Sequence, residues 1–173
     1  MRTGIGSLAA ILGAGIAFVG ACATWDIFHI VTTKEVAFEE AKRLSNGKGI
    51  INIGAGPNRT FGAQVVARDP EVLANIDIEP DGLPNFIQLD VETDPLPFGD
   101  KQFGVAYCSH VLEHLDNWEF ALNEMVRVAD YVVIVLPDPQ YFSGWLDPEH
   151  KQHFSTDDIN QIIELYPNVI VYY

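Results

Sequence analysis

The sequence predicts an α/β fold with a doubly wound, mostly parallel sheet, and three observations predict it. Residues 49 to 56 read Gly-Ile-Ile-Asn-Ile-Gly-Ala-Gly, a short apolar strand that runs straight into two glycines. Further along the chain, short apolar runs alternate with segments of helical periodicity. Tyr131 to Leu136 is apolar without alternation, as a strand covered on both faces is.

Ahead of the first strand, no side chain from Thr3 to Trp25 is charged. Roughly 20 such residues span a bilayer as a helix. Ala9, Gly13, Ala17 and Ala21 recur on one helical face, a stripe that lets another membrane helix approach closely. Ala21-Cys22-Ala23 has the small-x-small form of a signal-peptidase site, but the apolar run is longer than a signal core. The expectation is therefore an uncleaved membrane anchor over residues 1–31, a single pass, followed by a second unit over residues 32–173.

Thr32-x-x-Glu35 has a capping-box pattern, and Ala37, Ala41 and Leu44 line one face of a helix that stops at Asn46-Gly47. Strand 1 covers 49 to 54 and a short helix about 60 to 67, ended by Asp69-Pro70. Strand 2 runs from Val72 to Ile78 and strand 3 from Asn85 to Leu89. Only Glu79 to Pro84 lies between them, too little for a crossover helix. Asp94 to Asp100 is rich in turn residues. Strand 4, Phe103 to Ser109, is followed by a helix opening at Asp116-x-x-Glu119, with Trp118, Ala121, Leu122, Met125 and Val126 on its apolar face. After strand 5, Pro137 to Phe154 is a long loop holding Tyr141, Trp145, His150 and His153. Ser155-x-x-Asp158 caps a last helix with Ile159, Ile162 and Ile163 inward, and Asn168 to Tyr173 closes as a strand.

In open parallel sheets, ligands sit beyond the carboxyl ends of the strands. Gly54, Gly56, Asp77, Asp90, Ser109 and His110 all fall there. Gly54 and Gly56 let the backbone come close to a ligand, and an acid about 20 residues on takes a ribose hydroxyl in nucleoside-binding folds. The third glycine of a dinucleotide fingerprint would fall at Arg59, which argues against NAD. The formal charge of −14 repels phosphate backbones, so nucleic acid is not an expected partner. Two cysteines, Cys22 and Cys108, supply neither a disulfide framework nor a Cys-x-x-Cys metal site. His110-Val-Leu-Glu-His114 matches an inverted zinc-protease signature, but His110 directly follows a strand. A third ligand from Glu124, Glu149 or Glu164 has no supporting motif, so no metal is expected.

Taken together these stretches resemble a class I S-adenosylmethionine-dependent methyltransferase of the type 11 group, over about Gly49 to Phe154. Asn52 to Gly56 resembles the glycine motif under the methionine part of the cofactor. Leu96-Pro97-Phe98, the run from Phe103 to Leu115 with its Ser-His-Val-Leu-Glu-His-Leu stretch, and Glu124 to Val128 follow in the family's order. The resemblance implies a Rossmann-like methyltransferase fold lacking the usual antiparallel seventh strand, which would leave an open edge beside strand 5 for a partner or a rearranged terminal strand. It implies S-adenosylmethionine as cofactor, held by Gly54, Ala55, Gly56, Asp77, Ile78, Asp90, Val91 and Ser109. Asn52 stands where the family has an acid, and Gly104 where Asp follows Phe.

Methyl transfer needs an aligned nucleophile and a dry site more than a strong acid or base. Candidate acceptor-side residues are His110, Tyr141, His150 and His153. With the anchor, the resemblance implies a membrane-bound enzyme methylating a small or lipid-like acceptor. Its soluble part would face the cofactor-containing side, cytoplasm or organelle matrix, with partner subunits on the small-residue stripe. A second reading is a decayed methyltransferase fold serving as an accessory subunit of a membrane complex, motivated by Asn52, Gly104 and the missing strand.

Overall fold

The computed structural model describes residues 32–56, 65–79, 82–140 and 147–173. Six strands form a single sheet in the order β3-β2-β1-β4-β5-β6, and every pair is parallel. They are β1 Ile50–Ile53, β2 Val72–Asp77, β3 Phe86–Gln88, β4 Phe103–Ser109, β5 Ala129–Val135 and β6 Val169–Tyr172. Helix α1 covers 32–45, residues 65–67 are helical, α2 is Trp118–Val128 and α3 is Thr156–Leu165.

The helices cover both faces of the sheet, which explains the unalternating apolar strands. Ile51, Ile53, Ala106, Cys108, Val132 and Ile134 pack on one face with Ala121, Leu122 and Met125 of α2 and Ile159 and Ile162 of α3. Their neighbours Ile50, Val105, Tyr107, Val133 and Val135 point the other way, against Ala37, Phe38 and Ala41 of α1. Each large side chain fully buried in this way stabilises by about 1.5–3 kcal/mol. Phe38 meets Tyr107 edge-on at 5.3 Å, and the Tyr107 hydroxyl donates to the Lys34 carbonyl at 3.3 Å. Burial pushes that phenol up to about 12. Ser155 caps α3 in a full capping box with Asp158, as its sequence pattern predicts.

The edge beside β5 is not open. β6 pairs with it in parallel, Val132 against Val169 through Val135 against Tyr172, so a rearranged terminal strand takes that place. The link from β2 to β3 is as short as its sequence requires, and Asn85 turns the chain at a φ of 51°.

The departures from the family pattern have local structural reasons. Asn52 is 3% exposed, and its amide donates to Asn75 Oδ1 at 2.9 Å; Asn75 in turn donates to the carbonyls of Ala67 and Pro84. A Cβ at Gly104 would come 2.1 Å from the Ser45 carbonyl oxygen, so the end of α1 leaves no room for a side chain there.

The expected membrane anchor is corrected. Among the described residues no helix is long and apolar enough to cross a membrane. α1 is too short for a span and carries Lys34, Glu35, Glu39, Glu40, Lys42 and Arg43, while α2 and α3 have 11 and 10 residues against the roughly 20 a span needs. The stretch from Thr3 to Trp25, with its stripe Ala9, Gly13, Ala17 and Ala21, lies outside the described residues. A transmembrane segment, a single-pass membrane location, membrane or subunit partners on that stripe, and an accessory role in a membrane complex therefore drop out of the account.

Candidate active site

A cleft of about 420 Å³ opens at the carboxyl ends of β1, β2, β3 and β4. Its lining combines Gly54, Gly56, Asp77, Ile78, Asp90 and Val91 with His110, Val111, His114 and Lys151. Gly54 and Gly56 turn the chain out of β1 with φ of 68° and 74°. A Cβ on Gly54 would lie 2.0 Å from Val111 Cγ2, so glycine is what lets the β1 turn and the segment after β4 meet. Asp77 holds the turn from the neighbouring strand: Oδ2 accepts the Gly56 N–H at 2.8 Å and Oδ1 the Glu79 N–H at 2.9 Å. Ile78 beside it is 59% exposed. Asp90 caps its own turn, accepting the Glu92 N–H at 2.9 Å.

Ala55 and Ser109 lie outside the lining. Ala55 is buried with Ala67 and Leu83 under the β1 turn, and strand alternation puts Ser109 on the α1 face with Val105 and Tyr107.

The opposite wall is built from charged and imidazole side chains. His110 sits at a φ of 54°, a left-handed backbone that costs on the order of 1–3 kcal/mol and collects at functional sites. Its N–H donates to the Val135 carbonyl, and its Nδ1 lies 3.1 Å from Glu113 Oε1. The segment after it is a single 3₁₀ turn, Leu112–His114, rather than an α-helix, so His110 and His114 do not share a helical face. Glu113 is only 1% exposed, and neither carboxylate oxygen has a hydrogen-bond partner. Its charge is felt nearby. Burial pushes the Lys34 ammonium down while Glu113 opposes that shift, and burial together with Glu113 pushes the Cys108 thiol up.

The loop after β5 folds onto this turn. Lys151 and Gln152 donate their backbone N–H groups to the Glu113 carbonyl at 2.8 and 2.9 Å. Lys151 Nζ also pairs with Asp116 at 2.6 Å, and Glu92 Oε1 accepts the N–H groups of Asp116 and Asn117. Glu92 and Lys151 thus close one end of the cleft. Sequence reasoning passed them over because they are joined only through this loop. His150 and His153 line a small adjoining cavity of about 20 Å³ with Glu113 and do not line the main cleft. Tyr141 and Trp145 lie outside the described residues.

Glu113, His114 and His150 bring one possible ligand atom each within 4.8 Å of one another. The sequence pattern places His110 and His114 together and looks for its third donor among glutamates. Glu124 is instead held by Arg127, and Glu149 offers His114 only its backbone carbonyl, 3.1 Å from Nδ1.

With this geometry in view, residues 53–130 match the family model described as a methyltransferase domain. No curated protein matches the chain. Among solved structures, the chain is similar to a crystal structure from Thermotoga maritima titled a SAM-dependent methyltransferase, possible histamine N-methyltransferase. It has 19% sequence identity, covers 87% of this chain and 77% of that one, and has a TM-score of 0.57. The family match points to a SAM-dependent methyltransferase-like enzyme, and the structural likeness shows the same fold.

Proposed function

We propose that this protein holds S-adenosylmethionine in the cleft and methylates a small acceptor entering beside His110 and His114. One observation carries the reading: a single cleft of about 420 Å³ gathers Gly54, Gly56, Asp77, Ile78, Asp90 and Val91. Small-molecule sites measure about 300–1,000 Å³.

The residues fit the cofactor. Each Asp77 oxygen accepts one backbone N–H and keeps a second lone pair for a ribose hydroxyl. Ile78 offers an exposed apolar surface for a purine, edged by Asp90 and Val91. At the floor, the Val111 side chain sits against the bare Cα of Gly54 and gives the cleft an apolar base. Asp77, Asp90 and Glu92 make this end acidic, which favours a cationic ligand.

When bound, the cofactor supplies an electrophilic methyl group on a sulfonium. This chain's residues hold it in place, narrow the cleft against water through Lys151, and present His110 and His114 to the acceptor. Either imidazole can take up a proton if the acceptor loses one.

Calorimetric titration of the full chain with S-adenosylmethionine and S-adenosylhomocysteine tests the reading. Binding in the micromolar range is expected, about 10-fold or more weaker in Asp77→Asn, because a charge-assisted hydrogen bond is worth about 1.5–3 kcal/mol. A folded chain that binds neither compound would overturn it.

A further inference from the structure

We propose that Glu113, His114 and His150 form a binding site for a divalent transition metal of the zinc type, at the acceptor end of the cleft. The three residues come from two segments, the turn after β4 and the loop after β5, and their donor atoms lie within 4.8 Å of one another. A two-histidine, one-carboxylate set is a known three-ligand zinc arrangement that leaves a coordination position open. Ligands about 2.0–2.2 Å from such an ion lie about 3.3–3.6 Å apart. Side-chain adjustment of about 1 Å closes the set.

Two further observations point to a cation here. The first is Glu113, a carboxylate 1% exposed whose oxygens make no hydrogen bond. Burying a carboxylate is costly unless a positive partner or metal compensates it. His110 Nδ1, at 3.1 Å, and the charge of Lys34 are the compensation the chain itself supplies. The cavity of about 20 Å³ between Glu113 and His150 has room for about one water-sized species.

The second is the orientation of His114. Its Nδ1 lies 3.1 Å from the Glu149 carbonyl, and a carbonyl only accepts, so Nδ1 carries the proton. The Nε2 lone pair is then the one available to a metal, with an outer partner fixing the ring as in established sites. Imidazole and carboxylate together select zinc-like ions over magnesium and calcium, which prefer all-oxygen shells. His114 also lines the main cleft, so a metal held here would adjoin the acceptor side.

Metal binding is read without any nucleoside, so this inference and the cofactor reading fail separately. The full chain, stripped with chelator, is titrated with Co²⁺ followed by visible absorption, and with Zn²⁺ in competition. One equivalent is expected, with the absorption of a low-coordinate Co²⁺ site that Zn²⁺ abolishes. His150→Ala and His114→Ala are expected to weaken binding beyond the about 10–100-fold that outer-shell changes cost. Glu113→Gln is expected to weaken it as well. Far-UV circular dichroism checks that each variant is folded; His150, on a loop, serves if His114→Ala is not. A folded wild-type chain with no Co²⁺ absorption, or binding that survives His114→Ala and His150→Ala together, would overturn the inference.

Discussion

Two parts of the sheet's carboxyl edge bury polar groups, and they do so in opposite ways. Between β1 and β2, Asn52 and Asn75 are 3% and 0% exposed, and their amides are tied to each other and to the Ala67 and Pro84 carbonyls. After β4, Glu113 is as deeply buried, yet its carboxylate hydrogen-bonds to nothing. Satisfied buried networks stiffen a fold, while an unsatisfied buried group is explained by a role outside stability or by an ion. The first region is the rigid support under the β1 turn at Gly54 and Gly56. The second, with a left-handed His110 beside it, carries local strain and an unsatisfied buried group together.

The sharpest way to break this comparison is Asn75→Ala. It orphans the Asn52 amide and the two carbonyls at a cost of about 1–3 kcal/mol each, so a total loss of at least about 3 kcal/mol is expected in urea denaturation. A loss below about 1 kcal/mol would mean the network is ornamental. Next is Gly104→Ala, whose Cβ would meet the Ser45 backbone and is expected to cost about 2–3 kcal/mol by the same assay.

Glu124 offers a carboxylate satisfied in the way Glu113 is not. It takes a two-pronged bond from Arg127 and the Leu96 N–H, and the Arg127 bond holds its carboxyl below the ordinary 4.5. A depressed folded value stabilises above the ordinary one and is lost as pH falls through the depressed one. Urea midpoints should therefore drop below about pH 4.5 by an amount that Glu124→Gln flattens, on the order of 1 kcal/mol. The smallest effect belongs to Glu113→Gln in metal-free protein. With no hydrogen bond to lose and the His110 contact at 3.1 Å as its close ionic partner, stability is expected to stay within about 1 kcal/mol, and a loss above about 3 kcal/mol would make that ion pair the main role of Glu113.

The sheet was legible because buried parallel strands must be apolar on both faces, and the stretches at Ile50, Val72, Phe103 and Tyr131 have no other use for such composition. The rim containing Gly54, Gly56, Asp77 and Asp90 was legible because strand ends place those residues by topology alone. Ser109 and Ala55 do not line the cleft: alternation along β4 turns the Ser109 side chain to the α1 face, and Ala55 is buried under the β1 turn. The pairing of β6 with β5 was left open because sequence sets a strand's faces and not its neighbour. Glu92 and Lys151 were the hardest to read. Lys151 reaches the site on a loop whose path depends on backbone bonds to the Glu113 carbonyl, Glu92 meets it from the turn after β3, and no periodicity records such a meeting. The apolar stretch before residue 32 gave a strong pattern that no described helix supports.

The most direct test of the central claim is an NMR measurement on the full chain with S-adenosylmethionine labelled with ¹³C at its transferable methyl. Through-space contacts from that methyl are expected to the Val111 methyls and the His114 ring, and those from the adenine to Ile78 and Val91. Saturable binding with contacts to residues elsewhere in the fold, or no binding by a folded chain, would contradict the assignment of this cleft to the cofactor.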